Sequence, residues 1–421
     1  MKCAWFGLLS FLTAVQASAT SVSMFAVRDV RLFDGEEVRV HQTVIVKHGR
    51  IFKVGHNIAI PSGSRIVEGA GRTLLPGLID AHVHVFPGAQ KDALRFGVTT
   101  ELDMFHNGLE LRRWQKQRQQ LIETNEADTW SSGVGATAPG GHPSEFGGNF
   151  PTIGAAAQAE SFVADRVASG SDYIKLFIED LSEFGLKKTL PTLSKDEVCA
   201  VVKAAHLHGK LAIVHAEAEA GAREALDCGA DGLAHLFVDQ PPDAAFIDEA
   251  KRKGIFVITT ASVFARQSGY IYSQLLSADR RVSGYLSARE RNILLASAGR
   301  KMPDFFPNAL RSIAMFHAAG IPILAGTDAP NPSVPHGLGL HLELQILVQA
   351  GLSPVEALRS ATSLPAKVFS LSNRGIIAEG ARADMILIRG DPTSEISDTL
   401  SIERIWKNGF PVARRNTQAE N

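Results

Sequence analysis

The chain carries almost no net charge: 43 lysines and arginines against 44 aspartates and glutamates leave −1 over 421 residues. Without a basic field, nucleic acids and anionic membranes are disfavoured as partners. Long hydrophobic runs are missing too. Beyond the first residues, no stretch approaches the roughly 18 uninterrupted apolar residues of a membrane span. Cysteine is scarce, with three in all. If Cys3 leaves with an N-terminal leader, only Cys199 and Cys228 remain. A disulfide between them and two buried free thiols on neighbouring helices both fit. Two motifs are also absent. No Gly-x-Gly-x-x-Gly turn follows an early strand, which weakens an open, doubly wound sheet. No Gly-x-Ser-x-Gly elbow occurs, which counts against a Ser-His-Asp mechanism.

What is present is ordinary for a globular protein, with 45% apolar and 21% charged residues. The length suits one large domain and a smaller one. Lys2, the apolar Cys3–Val15 and the small residues Ala17-Ser18-Ala19 have the layout of a secretory signal peptide over 1–19, so the expectation is a secreted or periplasmic protein. From Met24 to Val67, β-branched runs alternate with the Asp34-Gly35 and Gly49-Arg50 turn signals. Ala383–Ile388, Gly390-Asp391-Pro392 and Ile402–Trp406 repeat that texture. The two ends, 20–75 and 375–421, are therefore expected to pair into one small β-sandwich domain.

The middle, 76–374, alternates. Short apolar runs occur at Val98–Leu102, Tyr173–Phe177, Leu211–Val214, Gly232–Ala234, Ile255–Thr259 and Pro322–Leu324. Amphipathic helical segments lie between several of them, at Lys195–His208, Ala218–Asp227 and Pro354–Ala361. Ser194 followed by Glu197 forms a capping box. This alternation predicts an α/β fold, a (β/α)8 TIM-like barrel. The Gly-rich stretch Gly133–Gly148 interleaves His142, Glu145 and Phe146, and it suits a functional loop.

The strongest local signal is Leu75-Pro76-Gly77-Leu78-Ile79-Asp80-Ala81-His82-Val83-His84. On a strand, residues two apart share a face, so His82 and His84 can reach one metal ion. With this segment, the opening strands and Gly380-Ala381-Arg382-Ala383-Asp384-Met385, the chain resembles the amidohydrolase superfamily. Within it, the imidazolonepropionase-like and Xaa-Pro dipeptidase-like branch is the most similar. The resemblance implies a metal-dependent hydrolase that cleaves an amide or peptide-like C–N bond with activated water.

Other site residues follow from chemistry and resemblance together. Lys175 lies inside the apolar run Tyr173–Phe177, where a bare ammonium is costly. The resemblance implies that it is carboxylated and bridges two ions; a mononuclear site without it is the alternative. His215 and His235 each close an apolar run, and strand ends of a barrel converge on one mouth. The resemblance makes both of them metal ligands. Asp328, in Leu324-Ala325-Gly326-Thr327-Asp328-Ala329-Pro330, matches the family's metal-binding aspartate and catalytic base. Imidazole and carboxylate donors suit one or two divalent ions, with Zn(2+) the natural choice. For substrate, the loop histidines His142 and His336 and, more weakly, Tyr173 are candidates. His206, His208 and His317 lie in helical segments and are read as surface or packing residues. The partner expected is a small-molecule amide or dipeptide-like substrate, with homo-oligomer formation left open. A cyclic amide hydrolase of the imidazolone or hydantoin type and an inactive binding or scaffold member of the fold are the competing readings.

Overall fold

The computed structural model describes residues 24–184, 189–297, 299 and 301–414. The expected signal segment, 1–19, lies outside them. Sixteen strands occur among these residues. In chain order they are β1 (Phe25–Phe33), β2 (Val38–Lys47), β3 (Arg50–His56), β4 (Arg65–Glu68), β5 (Arg72–Pro76), β6 (Leu78–Val83), β7 (Val98–Asp103) and β8 (Asp128–Ser131). There follow β9 (Ile174–Phe177), β10 (Ala212–His215), β11 (Gly232–Leu233), β12 (Phe256–Ile258), β13 (Ile323–Leu324), β14 (Met385–Arg389), β15 (Ile402–Lys407) and β16 (Phe410–Pro411).

The two ends of the chain form one sheet, in the order β16-β15-β14-β5-β1-β2-β3 with β4 beside β1. The junction is the antiparallel pairing of β14 with β5, which sets Met385 against Pro76 and Ile388 against Thr73. One apolar centre serves both ends, with Phe25, Val27 and Leu74 packed alongside Met385, Leu387 and Trp406. The expected sandwich is thus a single branched sheet rather than two separately bonded ones. The β2–β3 turn carries His48 and Gly49 at φ 51° and 75°, the two positive dihedrals that a tight hairpin needs.

The middle is α/β with every strand parallel. β6-β7-β8 make one sheet and β13-β12-β11-β10-β9 another. Isolated parallel bridges connect them at both edges, Val83 to Ala329 and Ala136 to Leu176. Buried on both sides, β6, β7, β9 and β10 are covered residue for residue, which is why they read as apolar runs. The helices lie where the amphipathic patterns put them: Lys195–Leu207, Glu219–Asp227 and Pro354–Ser360. The capping box at Ser194 is formed, with Ser194 N donating to Glu197 Oε2 at 2.7 Å. Cys199 and Cys228 are joined in a disulfide, which removes the free-thiol alternative. Among the described residues no helix is long and apolar enough to cross a membrane.

A buried ionic network joins the terminal sheet to the middle. Lys407 at the end of β15 donates to Asp128 (2.8 Å) and Asp384 (2.7 Å). Asp128 also accepts from Arg374. Arg118, which grips Asp172 bidentately at 2.6 and 2.8 Å, extends the network beneath β8.

Candidate metal centre

Five of the six expected ligands lie at the C-terminal ends of parallel strands or just beyond, and Lys175 lies within β9. His82 Nε2 and His84 Nε2 face the same oxygen, Asp328 Oδ1, at 3.2 and 3.0 Å. His215 and His235 stand with ring centroids 4.3 Å apart, and His82 is 4.5 Å from His235, so the two groups adjoin. Donor atoms bound to one zinc at about 2.1 Å sit roughly 3.4 Å from each other in a tetrahedral site, close to the first group's spacing.

Second contacts decide which atoms are free. His82 Nδ1 must carry its proton, because it donates to the Ala234 carbonyl at 2.8 Å; its Nε2 lone pair is therefore available. His235 Nδ1 pairs with Thr260 Oγ1 at 2.9 Å in the same fashion. Thr260 sits at φ 46°, in a turn held from behind by Glu343. That buried carboxylate accepts from Thr259 Oγ1 (2.5 Å), Ala261 N (2.8 Å) and Ser262 N (2.8 Å). Asp328, itself at φ 58°, has Oδ2 engaged by Asn331 at 2.8 Å, which leaves Oδ1 toward the histidines. Asp80 fastens the turn from below through Thr327 N and Oγ1 (3.0 and 2.7 Å).

A protein interior rarely leaves polar atoms unpaired. Here His82 Nε2, His235 Nε2, Asp328 Oδ1 and Lys175 Nζ are all buried and unbonded among the described residues. Such orphans are what a donor set awaiting a cation presents, and two His and carboxylate groups that could hold an ion are found there, His82-His84-Asp328 and His215-Glu217-His235, with Lys175 near enough for its charge to act on His82. A divalent ion therefore fits. Burial pushes the Lys175 ammonium down to about 7, against the pull of Asp328 and Glu217, so a neutral amine is within reach. Burial, followed by Lys175, lowers His82 to about 4, so it is a neutral donor. Burial would raise Asp328, but His82, His84 and His235 outweigh it and hold the carboxyl well below its usual range.

The substrate candidates separate. His142 reaches the mouth: its ring lies 4.8 Å from that of His215 and 5.3 Å from Phe177, and Glu145 holds Nδ1 at 2.5 Å. His336 does not. It is buried against Glu101, 2.6 Å away on β7, and burial opposed by that carboxylate leaves its pKa raised. Tyr173 is also away from the mouth, preceding Lys175 toward the start of β9. Its hydroxyl donates to the Asp103 and Trp130 carbonyls and its ring packs on Phe369, so it is a core residue. His206, His208 and His317 are hydrogen-bonded to Asp231, Glu160 and Glu356, half-exposed and away from the centre. Sequence reasoning missed Glu217, Thr260 and Asn331. Only Glu217 had a local signal, its spacing of two from His215.

The chain belongs to the amidohydrolase family, which matches residues 73–412. Its class is that of hydrolases acting on carbon–nitrogen bonds. The chain is similar to the imidazolonepropionase of Deinococcus radiodurans, 23% identical over 394 residues, covering 85% of this chain and 88% of that one. The similarity to the imidazolonepropionase of Vibrio cholerae is higher but local: 39% over 57 residues, 13% of this chain and 14% of that protein. Among solved structures, a Xaa-Pro dipeptidase with methionine bound in its active site superposes with a TM-score of 0.72 at 21% identity, over 92% of this chain and 99% of that one.

Proposed function

We propose that the protein hydrolyses an amide or peptide-like C–N bond at a centre of two divalent ions, held by His82, His84, Lys175, His215, His235 and Asp328. The observation that carries this is the convergence of these six side chains with four buried donor atoms left unbonded. Zinc suits the donors, and such ions, when bound, would supply polarisation of the substrate carbonyl and a water of lowered pKa. The chain's own residues do the rest. Asp328 Oδ1 takes a proton from the attacking water and returns it to the leaving nitrogen as the C–N bond breaks. The hydroxyl portion stays on the acyl carbon. His142, tethered by Glu145, faces the substrate at the mouth. Lys175, as the neutral amine, would add to CO2 with loss of one proton to solvent, and the carbamate so formed would supply a carboxylate-type donor to the ions.

The bridges at both edges of the parallel strands support reading residues 76–374 as one closed (β/α)8 TIM-like barrel, with 20–75 and 375–421 as the terminal β domain. Linear peptide-like amides are favoured by the likeness to the dipeptidase, and a cyclic amide of the imidazolone type by the Deinococcus relative. The intact ligand set argues against an inactive scaffold. Metal analysis of the purified chain, with turnover of dipeptides, N-acyl amino acids and cyclic amides, tests the reading. A metal-free chain inert on all of them refutes it. We also propose export, supported by the leader pattern of 1–19 and by the disulfide. The mature chain should begin near Thr20 on N-terminal sequencing, and a secreted form that still starts at Met1 contradicts it.

A further inference from the structure

Two residues beyond His215, in the bend that follows β10, stands Glu217. Its Oε1 is 4.0 Å from His215 Nε2, wider than the roughly 3.4 Å between two donors of a tetrahedral zinc by an amount that a turn of the flexible Glu217 side chain can close. Donor atoms of His215, Glu217 and His235 lie within 4.8 Å of each other. The second oxygen of Glu217 is buried and unbonded, and His235 Nε2, on a side chain only 1% exposed, is unbonded too.

The neighbouring glutamates are not equivalent. Glu179 comes within 3.6 Å of His215, but its oxygens are engaged by two backbone amides, Leu181 N at 2.7 Å and Glu217 N at 3.1 Å. It therefore holds the turn that presents Glu217. Glu183 is half-buried, and its donor oxygen lies within 4.8 Å of those of Glu179 and Glu217. Among the described residues no lysine or arginine comes within ion-pair distance of Glu217. Burying Glu217 beside Glu179 and Glu183 is costly even with Lys175 pulling on it, and a divalent cation between it and two neutral imidazoles offsets that cost.

We propose that Glu217 is a direct ligand of the ion held by His215 and His235, which gives that ion a His-His-Glu set from the protein itself. The assignment rests on the two-ion reading above. Each ion then has three protein donors, His82-His84-Asp328 for one and His215-Glu217-His235 for the other. The Lys175 bridge joins two sites already able to hold a cation.

The test is equilibrium zinc titration of the metal-stripped full chain by calorimetry, with zinc content from elemental analysis. The wild-type chain should take up two ions. Glu217→Gln, nearly isosteric, should weaken one of the two about ten-fold or more, since even a support to a ligand costs 10–100-fold. Glu217→Asp keeps the charge and should fall between them. Cobalt substitution adds a second readout, because the visible spectrum of the weaker site should change in Glu217→Gln. Two ions bound by Glu217→Gln with wild-type affinities and an unchanged cobalt spectrum would overturn the assignment and leave the two-ion reading standing. A wild-type chain that binds one ion or none would remove both. If Glu217→Gln does not fold by circular dichroism, the decision passes to Glu217→Asp, whose unaltered binding and spectrum would likewise overturn it.

Discussion

Lys407 is fully buried, and its ammonium spans Asp128, on β8, and Asp384, just before β14. Replacing it by Met keeps the stem's volume and deletes the charge. Two charge-assisted hydrogen bonds, worth about 1.5–3 kcal/mol each, are lost. The carboxylates are not wholly abandoned: Asp128 keeps Arg374 at 2.8 Å, and Asp384 keeps Asn408 N at 2.6 Å. That places the cost near the 3–5 kcal/mol measured for breaking a buried pair by removing one partner, so about 4 kcal/mol is expected. At roughly 2.1 cal/mol/K of unfolding entropy per residue, a chain of this size should melt about 5 °C lower. Thermal unfolding followed by circular dichroism reads the shift. Tryptophan fluorescence localises it, because Trp406 is the adjacent residue and stacks on Phe25 at 5.2 Å. Lys195→Met is the control, since its pair with Asp227 is solvent-exposed and should contribute nothing measurable. If Lys407→Met melts with the control, the network does not join the terminal sheet to the middle energetically and the reasoning fails.

Three further outcomes are expected. Lys175→Ala should weaken zinc retention and lower turnover on the order of 10²-fold or more, with partial recovery in short-chain carboxylic acids that stand in for the carbamate; unchanged stoichiometry and rate would make the lysine a packing residue. Thr260→Val keeps the shape but removes the partner of His235 Nδ1, and zinc affinity should drop about 10–100-fold with little change in melting; equal affinity would show that the hydroxyl does not set the tautomer. His142→Ala should lower kcat/KM while zinc binding stays at the wild-type level, because the ring touches the mouth and is not part of either donor group; a loss of metal instead would place it among the ligands.

The parallel strands were mostly legible because burial on both faces turns them into apolar runs. β8 is the exception: Asp128, Thr129, Trp130 and Ser131 carry little apolar signal. Asp128 is buried there against Lys407 and Arg374, 279 and 246 residues away, partners that no local window contains. Of the candidate ligands, His82 and His84 were legible from His-x-His spacing on a strand, and Lys175, His215, His235 and Asp328 through the resemblance to the amidohydrolase superfamily. Their supports were not, since Thr260, Glu343 and Asn331 act through contacts that no window of sequence contains. Tyr173 misled for a related reason. It was a weak candidate because it lies close to Lys175, but it precedes β9, and its hydroxyl and ring are taken up by core contacts. His336 lies in a loop of the expected kind, and only the fold reveals that Glu101 holds its ring elsewhere.

The turn around Thr260 has a consequence for how such a protein can change over time. His82 and His235 are steadied by the Ala234 carbonyl and by a threonine that Glu343 braces from the buried side. None of these supports comes from the 133–148 loop that carries His142. Its first residues do brace another candidate ligand, since Ala136 N donates to the Lys175 carbonyl at 2.8 Å, so only the tip beyond them, from Pro139 to Gly148, is free to vary what enters the mouth while the donors beneath keep their supports.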